Sequence, residues 1–268
     1  MKFSTAVLSS SLLATAAVAA PLTAQRQARH ERRLAGRKTN PPYKPGTSEI
    51  IHLSNNTSQE QYSGNWAGAV LIGNGYTAVS AQFTVPTPSA PSGGDDSTQY
   101  CASAWVGIDG DTCSSAILQT GVDFCIQGGT PSFTAWYEWY PDVAYNFDSL
   151  TISAGDVISV SVNAASTSSG TATIENISTG QTVNHDFNGG VQGDLCETNA
   201  EWIVEDFESG GGEVPFADFG TVTFSNAQAT TGGSSVGPDG ATIMDIKQGD
   251  TVLTSSSADS NSVTVTYQ

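Results

Sequence analysis

The feature that most constrains the fold is a succession of short segments in which apolar and polar residues alternate. From Tyr62 to Gln268 turn residues recur about every ten residues, and Thr, Val, Ser and aromatic residues dominate the segments between them. A period of two places successive side chains on opposite faces of a strand, and no segment keeps a helical period. The sequence therefore predicts a single all-β domain over residues 60–268, either a sandwich or a barrel.

The first 20 residues have the features of a secretory signal peptide. Lys2 is followed by an apolar run from Ala6 to Val18, and Ala17–Ala19 offers an A-x-A cleavage site. This run is too short to span a bilayer. We therefore expect a secreted, extracellular protein with no membrane partner.

The charges are divided between the two ends of the chain, whose formal net charge at pH 7 is -17. Eight of the nine Lys and Arg residues lie at or before Lys44, and the ninth is Lys247. Of the 26 acidic residues only Glu31 and Glu49 precede Glu60, which leaves 24 from Glu60 onward. Such a domain has no basic patch for phosphates, so we expect no nucleic-acid partner. Repulsion among its carboxylates predicts greater stability in acid than at neutral pH.

Residues 21–59 form an Arg-rich segment in front of this acidic domain. We interpret the segment as a propeptide that binds its own domain electrostatically and inhibits it. The alternative is a disordered spacer whose charge is coincidental. Asn55, Asn56 and Asn176 each begin an N-x-S/T sequon and are glycosylation candidates.

An even number of cysteines in a secreted chain favours disulfides over metal or redox roles. The four cysteines are Cys101, Cys113, Cys125 and Cys196. They allow two bridges in three pairings, and their spacing alone does not choose among the pairings.

The residues available for chemistry argue against metal sites. Asp109-Gly110-Asp111 resembles the start of a calcium loop, but the sixth position is Ser114 and the twelfth is Thr120, where such a loop needs Gly and an acid. Zinc would need a His or Cys cluster that the domain lacks. We therefore expect neither a metal nor another cofactor.

A serine nucleophile is also not expected. Gly233–Gly237 matches G-x-S-x-G, but His185 is the only histidine after residue 59 and it precedes this match. No strand-to-helix turn is predicted around the match. Carboxylates and amides remain as the groups that could carry a reaction.

Two predicted strands carry acids among large aromatic residues. Glu201 and Glu205 share one side of one strand, and Glu138 lies between Trp136 and Tyr140 on one side of another. Loss of solvation raises the pKa of a carboxyl group and suits it to acid–base chemistry. Any one such acid, considered alone, more commonly faces solvent or lies at the edge of a sheet.

Gln119 lies on the same side as Ile117 in an alternating apolar segment. A buried amide without hydrogen-bond partners costs about 1–3 kcal/mol, so this side chain must be bonded. From this strand alone, a structural glutamine tied to neighbouring backbone is the simpler interpretation.

Together these segments resemble the fungal glutamic peptidases, also called eqolisins or peptidase family G1. The resemblance covers nearly all of Tyr62 to Gln268 and the order of signal peptide and propeptide. Its matching blocks are NWAGAVLIG, AWVGIDGDTC, AILQTGVDFC, AWYEWYPD, CETNAEWIVEDFE and SVTVTY. Several long blocks in the right order are more specific than one short motif.

The resemblance implies a lectin-like (concanavalin A-like) sandwich of two antiparallel sheets with a catalytic dyad of Gln119 and Glu205 on its concave face. It implies an acid endopeptidase that is insensitive to pepstatin and acts on protein and peptide substrates. In such a reaction Glu205 would take a proton from the attacking water, and Gln119 would donate to the oxyanion.

The resemblance also implies the remaining site residues. The disulfide pairing would be Cys101–Cys125 and Cys113–Cys196. The residues expected to line the substrate cleft are Trp66, Trp105, Asp109, Asp123, Glu138 and Tyr140.

Two departures from the family pattern concern specificity and processing. Thr134 stands where relatives have an acid, and loop 86–99 differs in length and composition from the loop at which some relatives are cut. We expect a monomer, or two non-covalently associated chains if the loop is cut.

Two other functions remain open at this point. The first is a secreted carbohydrate-binding or glycoside-cleaving β-sandwich that uses Glu138 and Glu205 with tryptophan platforms and needs nothing of Gln119. The second is a structural domain without catalysis.

Overall fold

The computed structural model describes residues 38–46 and 60–268. The predicted signal peptide and the sequons at Asn55 and Asn56 lie outside these residues. Among the described residues no helix is long and apolar enough to cross a bilayer.

The domain consists of nineteen strands joined by turns and loops. The strands are β1 Glu60–Ser63, β2 Trp66–Ile72, β3 Tyr76–Thr84, β4 Tyr100–Ile108, β5 Ile117–Gln127, β6 Thr130–Tyr140, β7 Tyr145–Asn146, β8 Val157–Ser166, β9 Ser169–Asn176, β10 Gln181–Phe187, β11 Asn199–Glu205, β12 Glu208–Ser209, β13 Gly212–Glu213, β14 Thr221–Thr231, β15 Ser234–Val236, β16 Thr242–Gln248, β17 Thr251–Val252, β18 Thr254–Ala258 and β19 Ser262–Tyr267.

These strands form two large sheets and one small hairpin. Sheet 1 has nine strands in the order β1-β16-β2-β11-β4-β5-β6-β7, with β17 paired to β16. Sheet 2 has eight strands in the order β10-β9-β8-β3-β14-β19-β18, with β15 paired to β14. Strands β12 and β13 form the hairpin. The pairing is antiparallel except between β1 and β16, so the predicted all-β sandwich is confirmed.

The main core lies between the two sheets and is built by the period of two. In β8 the side chains of Ile158, Val160 and Val162 are buried against sheet 1, and their neighbours along the strand are not. Sheet 1 contributes Trp202 and Val106 to the same core. Burial of each large apolar side chain stabilises the fold by about 1.5–3 kcal/mol.

Sheet 1 also carries a second apolar cluster on its outer face, the face turned away from sheet 2. The cluster consists of Trp66, Val70, Trp105, Ile117, Trp136, Ile203 and Met244. As a result β4 and β11 are buried along their whole length on both faces.

Residues 38–46, which we call the pro-segment, lie on this outer face. Thr39 forms a backbone bridge with Glu208, and Pro45 forms one with Ser63. The backbone N–H of Tyr43 donates to the carbonyl of Gly110 at 3.0 Å. The pro-segment is therefore tied by its backbone to β1, to β12 of the hairpin and to the loop that follows β4.

Both disulfides belong to sheet 1. Cys101–Cys125 joins two directly paired residues of β4 and β5. Cys113–Cys196 ties the loop between β4 and β5 to the segment that enters β11, across a sequence separation of 83. This is the pairing that the family resemblance implied.

Asn176 does not fit its assignment as a glycosylation candidate. Its side chain is fully buried, and its Nδ2 donates to Thr151 O at 3.1 Å and to Asp156 Oδ2 at 2.8 Å. A glycan on Nδ2 would have to break both bonds and leave the interior of the fold. The Asn176 side chain instead holds the turn that follows β9.

Candidate active site

The register of four adjacent strands places the predicted chemical groups on the outer face of sheet 1. Glu201 of β11 pairs with Gly107 of β4, which pairs with Gln119 of β5, which pairs with Glu138 of β6. Glu205 lies four residues after Glu201 on the same face of β11. All four polar side chains in this arrangement are fully buried.

Glu205 is held by three donors. Its Oε2 accepts from Trp105 Nε1 at 2.9 Å and from Asn40 Nδ2 at 2.7 Å, and its Oε1 accepts from Asn65 Nδ2 at 3.1 Å. Burial, together with the nearby charge of Glu138, raises the pKa of Glu205 well above its ordinary value, although the donors act in the opposite direction. With the pro-segment in place, burial therefore disfavours the ionised form of this carboxyl group.

Gln119 directs its amide nitrogen at a peptide carbonyl. Its Nε2 donates to the backbone oxygen of Asn40 at 2.8 Å and to Glu138 Oε2 at 3.1 Å. Asn40 is thus bonded to both Gln119 and Glu205, through its carbonyl and its side-chain amide respectively. The two predicted dyad residues are therefore both bonded to one residue of the pro-segment.

Glu138 holds both Gln119 and the pro-segment. Its Oε1 accepts from Thr39 Oγ1 at 2.6 Å, and its Oε2 accepts from the backbone N–H of Asn40 at 3.0 Å. Burial raises the pKa of Glu138 to about 8, against the effect of these donors.

Asp123 anchors the first described residue of the pro-segment. Its Oδ1 accepts from Lys38 Nζ at 2.5 Å and from Ser103 Oγ at 2.8 Å. The Lys38 ammonium also lies 3.9 Å from the ring centroid of Trp136 and 4.7 Å from that of Phe207. Burial lowers the pKa of Lys38 and raises the pKa of Asp123, and the attraction between the two groups opposes both shifts.

Aromatic residues complete this face. Trp66 Nε1 donates to Pro41 O at 3.1 Å, and the Trp66 and Trp105 rings meet edge to face with centroids 5.0 Å apart. Tyr140 is half-buried and packs against the same cluster. Trp66, Trp105 and Tyr140 therefore lie on the same face as Gln119 and Glu205.

Asp109 does not line the cleft, which corrects the sequence-based expectation. It is fully buried, and its carboxylate accepts from four consecutive backbone N–H groups at 2.7 to 3.2 Å. Those donors are Cys196, Glu197, Thr198 and Asn199. Asp109 organises the turn that enters β11, and so it acts on the site only by placing that strand.

The same region brings Asp109, Cys113 and Cys196 within 4.8 Å of one another. Both cysteines are already joined in a disulfide, so their sulfur atoms are not available as thiolate ligands.

His185 lies on β10 of sheet 2, where its ring stacks on the Tyr137 ring with the two centroids 4.0 Å apart.

Sequence reasoning missed several residues of the site. Asn65 donates to Glu205, and Ser103 donates to Asp123 and accepts from Trp136 Nε1 at 3.1 Å. Asn65 directly precedes Trp66 in a block that matched the family, which was the available signal. Nothing in the local pattern marked Ser103, because its role follows from the register of β4 with β5 and β11.

A two-sheet sandwich in which a buried glutamine and a buried glutamate both bond to one residue of an extended segment is the arrangement expected of a glutamic peptidase. Residues 64–267 match the model of the Peptidase A4 family, and the chain belongs to this family, the eqolisins or G1 peptidases. The matched span contains every strand of the sandwich except β1.

Individual relatives agree with the family assignment. The chain is 61% identical to aspergillopepsin-2 of Aspergillus niger and 43% identical to scytalidopepsin B of Scytalidium lignicola, in each case over all of both chains. It is similar to the crystal structure of scytalido-glutamic peptidase with a transition state analog inhibitor, with TM-score 0.69 and 44% identity over 76% of this chain and 98% of that one.

It is also similar to the crystal structure of aspergilloglutamic peptidase from Aspergillus niger, with TM-score 0.62 and 68% identity over 63% of this chain and 99% of that one. These relatives make the chain a glutamic peptidase, a hydrolase that acts on peptides. The carbohydrate and purely structural alternatives are therefore set aside.

Proposed function

We propose that the chain is the precursor of a secreted acid endopeptidase whose catalytic pair is Gln119 and Glu205. The observation that carries the proposal is the position of Asn40. Its peptide carbonyl accepts from Gln119 Nε2 at 2.8 Å, and its side-chain amide occupies Glu205 Oε2 at 2.7 Å. A substrate carbonyl in that place would have an amide donor on its oxygen and a carboxyl group close by.

The reaction then needs only these two groups and a water molecule. Glu205, as a carboxylate, takes a proton from water, which attacks the carbonyl carbon. The charge that develops on the carbonyl oxygen is stabilised by the Nε2–H group of Gln119, whose side-chain amide is neutral at every pH. Glu205 then passes its proton to the leaving nitrogen, and the peptide bond breaks without a covalent acyl-enzyme.

Glu138 supports this geometry by accepting the second N–H of the Gln119 amide. Because each N–H group of Nε2 then has its own acceptor, the amide keeps the orientation in which its nitrogen faces the substrate. Glu138 therefore orients the oxyanion donor, in addition to contacting the backbone of the bound peptide.

Release of the pro-segment should activate Glu205 electrostatically as well as sterically. Desolvation is the largest cause of the raised pKa of Glu205, and the pro-segment contributes to its burial. When water replaces Asn40, renewed solvation should lower the pKa of Glu205 by more than the loss of the Asn40 hydrogen bond and the Lys38 charge raises it, because desolvation is the largest cause of the shift. The carboxylate form would then be present in mild acid, where the enzyme would act.

The pro-segment has the contacts of an intramolecular inhibitor. It bonds to Gln119, Glu138, Glu205 and Asp123, and Asn40 Nδ2 lies where the attacking water must bond to Glu205. It thus follows the substrate path while excluding the nucleophile. This arrangement supports the interpretation of residues 21–59 as an inhibitory propeptide.

The proposal is tested by acid digestion of a denatured protein in the presence of pepstatin. Each variant carries a recognition sequence for an unrelated protease between residues 59 and 60, so that removal of the propeptide does not depend on its own activity. We expect the processed enzyme to cleave internal peptide bonds in acid and to be insensitive to pepstatin. The Glu205→Gln variant should lose this activity. Cleavage that persists in folded Glu205→Gln would reject the proposal, as would inhibition by pepstatin.

A further inference from the structure

Besides Asn40 Oδ1 of the pro-segment, three buried side chains of sheet 1 near the dyad have polar atoms with no hydrogen-bond partner among the described residues. They are Glu201, with both carboxyl oxygens, Gln119, with Oε1, and Asn199, with Nδ2. All three residues are fully buried. Buried polar atoms are almost always hydrogen-bonded, often to ordered water. We therefore expect the unpaired atoms of these three side chains to share one hydrogen-bond partner.

Glu201 and Gln119 converge over Gly107. Gly107 lies between them in the register of β11, β4 and β5. The place that a Cβ atom at residue 107 would occupy lies 2.9 Å from Glu201 Oε1 and 3.3 Å from Gln119 Cβ. A side chain at residue 107 would collide with Glu201 and with the Trp105 ring, whose Cζ3 also lies 2.9 Å from that place, so only glycine lets Glu201 and Gln119 approach each other here.

The remaining atoms have the donor and acceptor types that a bridge requires. Gln119 Nε2 is committed to Asn40 O and Glu138 Oε2, so Oε1, on the other side of the amide carbon, is directed away from Glu138. Asn199 lies two residues before Glu201 on the same face of β11, and its Oδ1 already accepts from Thr112. Asn199 Nδ2 is a donor and Gln119 Oε1 is an acceptor.

Glu201 must be neutral to occupy this place. A buried carboxylate without hydrogen bonds would be far more costly than the protonated acid. Burial, with the negative charges of Asp109 and Asp111 nearby, raises the pKa of Glu201 well above its ordinary value. The groups paired with it from the other side, Val70 and Gly107, carry no charge. A protonated Glu201 is both a donor and an acceptor.

We propose that Glu201 is a positioning residue for the oxyanion donor, which it holds through a water molecule shared with Asn199. The protonated acid donates through this water to Gln119 Oε1, which fixes the amide with its nitrogen toward the substrate. A hydrogen bond accepted at Oε1 also polarises the amide and strengthens donation by Nε2–H. The inference rests on the proposed role of Gln119 as oxyanion donor.

The test uses the processed enzyme with Glu201→Leu, Glu201→Gln and Gln119→Ala, singly and combined. Leucine fills the space but cannot bond, whereas glutamine keeps a neutral donor and acceptor. Loss of one oxyanion donor lowers kcat by about 10²–10³-fold, so a loosened donor should lower kcat at least about tenfold in Glu201→Leu with KM nearly unchanged. Glu201→Gln should restore most of kcat, and Glu201→Leu should have no further effect in the Gln119→Ala background.

The outcomes separate this inference from the proposed function. Wild-type kcat in Glu201→Leu, or an equal loss in the Gln119→Ala background, would overturn the role of Glu201. Full activity of folded Gln119→Ala would instead reject the proposed function. If Glu201→Leu does not fold, Glu201→Met is the second apolar variant. A Gln119 side-chain amide resonance that is identical in Glu201→Gln, wild type and the apolar variant would also contradict the inference.

Discussion

The two outer faces of the sandwich are built from the same alternating strands and have opposite chemistry. On sheet 1 the outer face carries tryptophans, a glutamine and several acids, and it is buried under the pro-segment. On sheet 2 the outer face carries exposed threonine pairs, with hydroxyl groups 3.2 Å apart between Thr221 and Thr266 and 3.1 Å apart between Thr223 and Thr264. Both faces belong to strands with the same antiparallel backbone pairing.

The difference shows how reactivity is separated from stability in this fold. The threonines of sheet 2 are solvated and contribute cross-strand pairs that suit a strand surface. The acids of sheet 1 are desolvated, which raises their pKa and makes them costly to bury unless they are hydrogen-bonded. The inter-sheet core stabilises the fold and allows one outer face to hold groups that a sheet alone would not favour.

The largest expected difference between the two faces concerns a single carboxyl group. Glu205→Gln should abolish peptide turnover, because an amide cannot accept the proton from water. Thr223→Val on the outer face of sheet 2 is the matched control and should leave kcat/KM within about twofold of wild type, as surface changes usually do. Steady-state cleavage of a fluorogenic peptide measures both. Equal losses in the two variants would mean that the faces do not differ in function.

The disulfides should stabilise the catalytic sheet more than the threonine-rich one, since all four cysteines belong to sheet 1 and its loops. Joint replacement of Cys113 and Cys196 by alanine opens a loop with a sequence separation of 83. The chain-entropy model then predicts a loss of about 4–5 kcal/mol in the free energy of unfolding. Denaturant unfolding measures the loss, and hydrogen exchange should show it first in β5 and β11. Protection lost equally in both sheets would count against a local effect.

Two lysines of the pro-segment provide a matched pair. Lys38 is buried against Asp123, Trp136 and Phe207, whereas Lys44 makes exposed ion pairs with Glu208 and Glu213. Lys38→Ala should speed the gain of activity after transfer to acid about tenfold, which corresponds to about 1.4 kcal/mol of lost binding.

Lys44→Ala is the control, since exposed ion pairs contribute about 0–1 kcal/mol. It should change the activation rate much less than Lys38→Ala. The rate is followed with a fluorogenic peptide added at the time of transfer. A larger effect of Lys44→Ala would show that net charge, and not the buried contact, holds the pro-segment.

The last expected effect concerns pH and Asp245 on β16. Its Oδ1 accepts from Thr254 and Ser256, yet burial raises its pKa to about 7. An acid with a raised folded-state pKa stabilises the fold fully below its unfolded pKa near 4 and loses that contribution as pH rises toward 7. Between these values each such group lowers stability by about 1.4 kcal/mol per pH unit.

Asp245→Asn does not titrate, so its melting temperature should fall less steeply from pH 4 to pH 7 than that of wild type. Added salt should partly protect wild type at pH 7 by screening the remaining carboxylates. Calorimetric melting curves at several pH values measure both effects. Parallel curves for the variant and wild type would remove Asp245 from the pH dependence.

The sequence predicted the architecture because alternation and turn residues are local signals. β5 and β11 could be recognised from their own residues, and the family blocks assigned Gln119 and Glu205. The role of Asp109 was misassigned because its four backbone donors come from residues 196–199, some 90 positions away. Asn40 and Ser103 were missed for the same reason, since only the fold brings them to the dyad.

The central claim is that Gln119 donates to the carbonyl oxygen of the peptide bond being cleaved. The most direct measurement is the pH profile of kcat for processed wild type, Gln119→Ala and Gln119→Glu, with melting curves to verify folding. We predict that Gln119→Ala loses about 10²–10³-fold in kcat at every pH. Gln119→Glu should retain activity only at lower pH, because its protonated form can donate and its ionised form repels Glu205 and the oxyanion. A folded Gln119→Ala enzyme with the kcat of wild type would contradict the account.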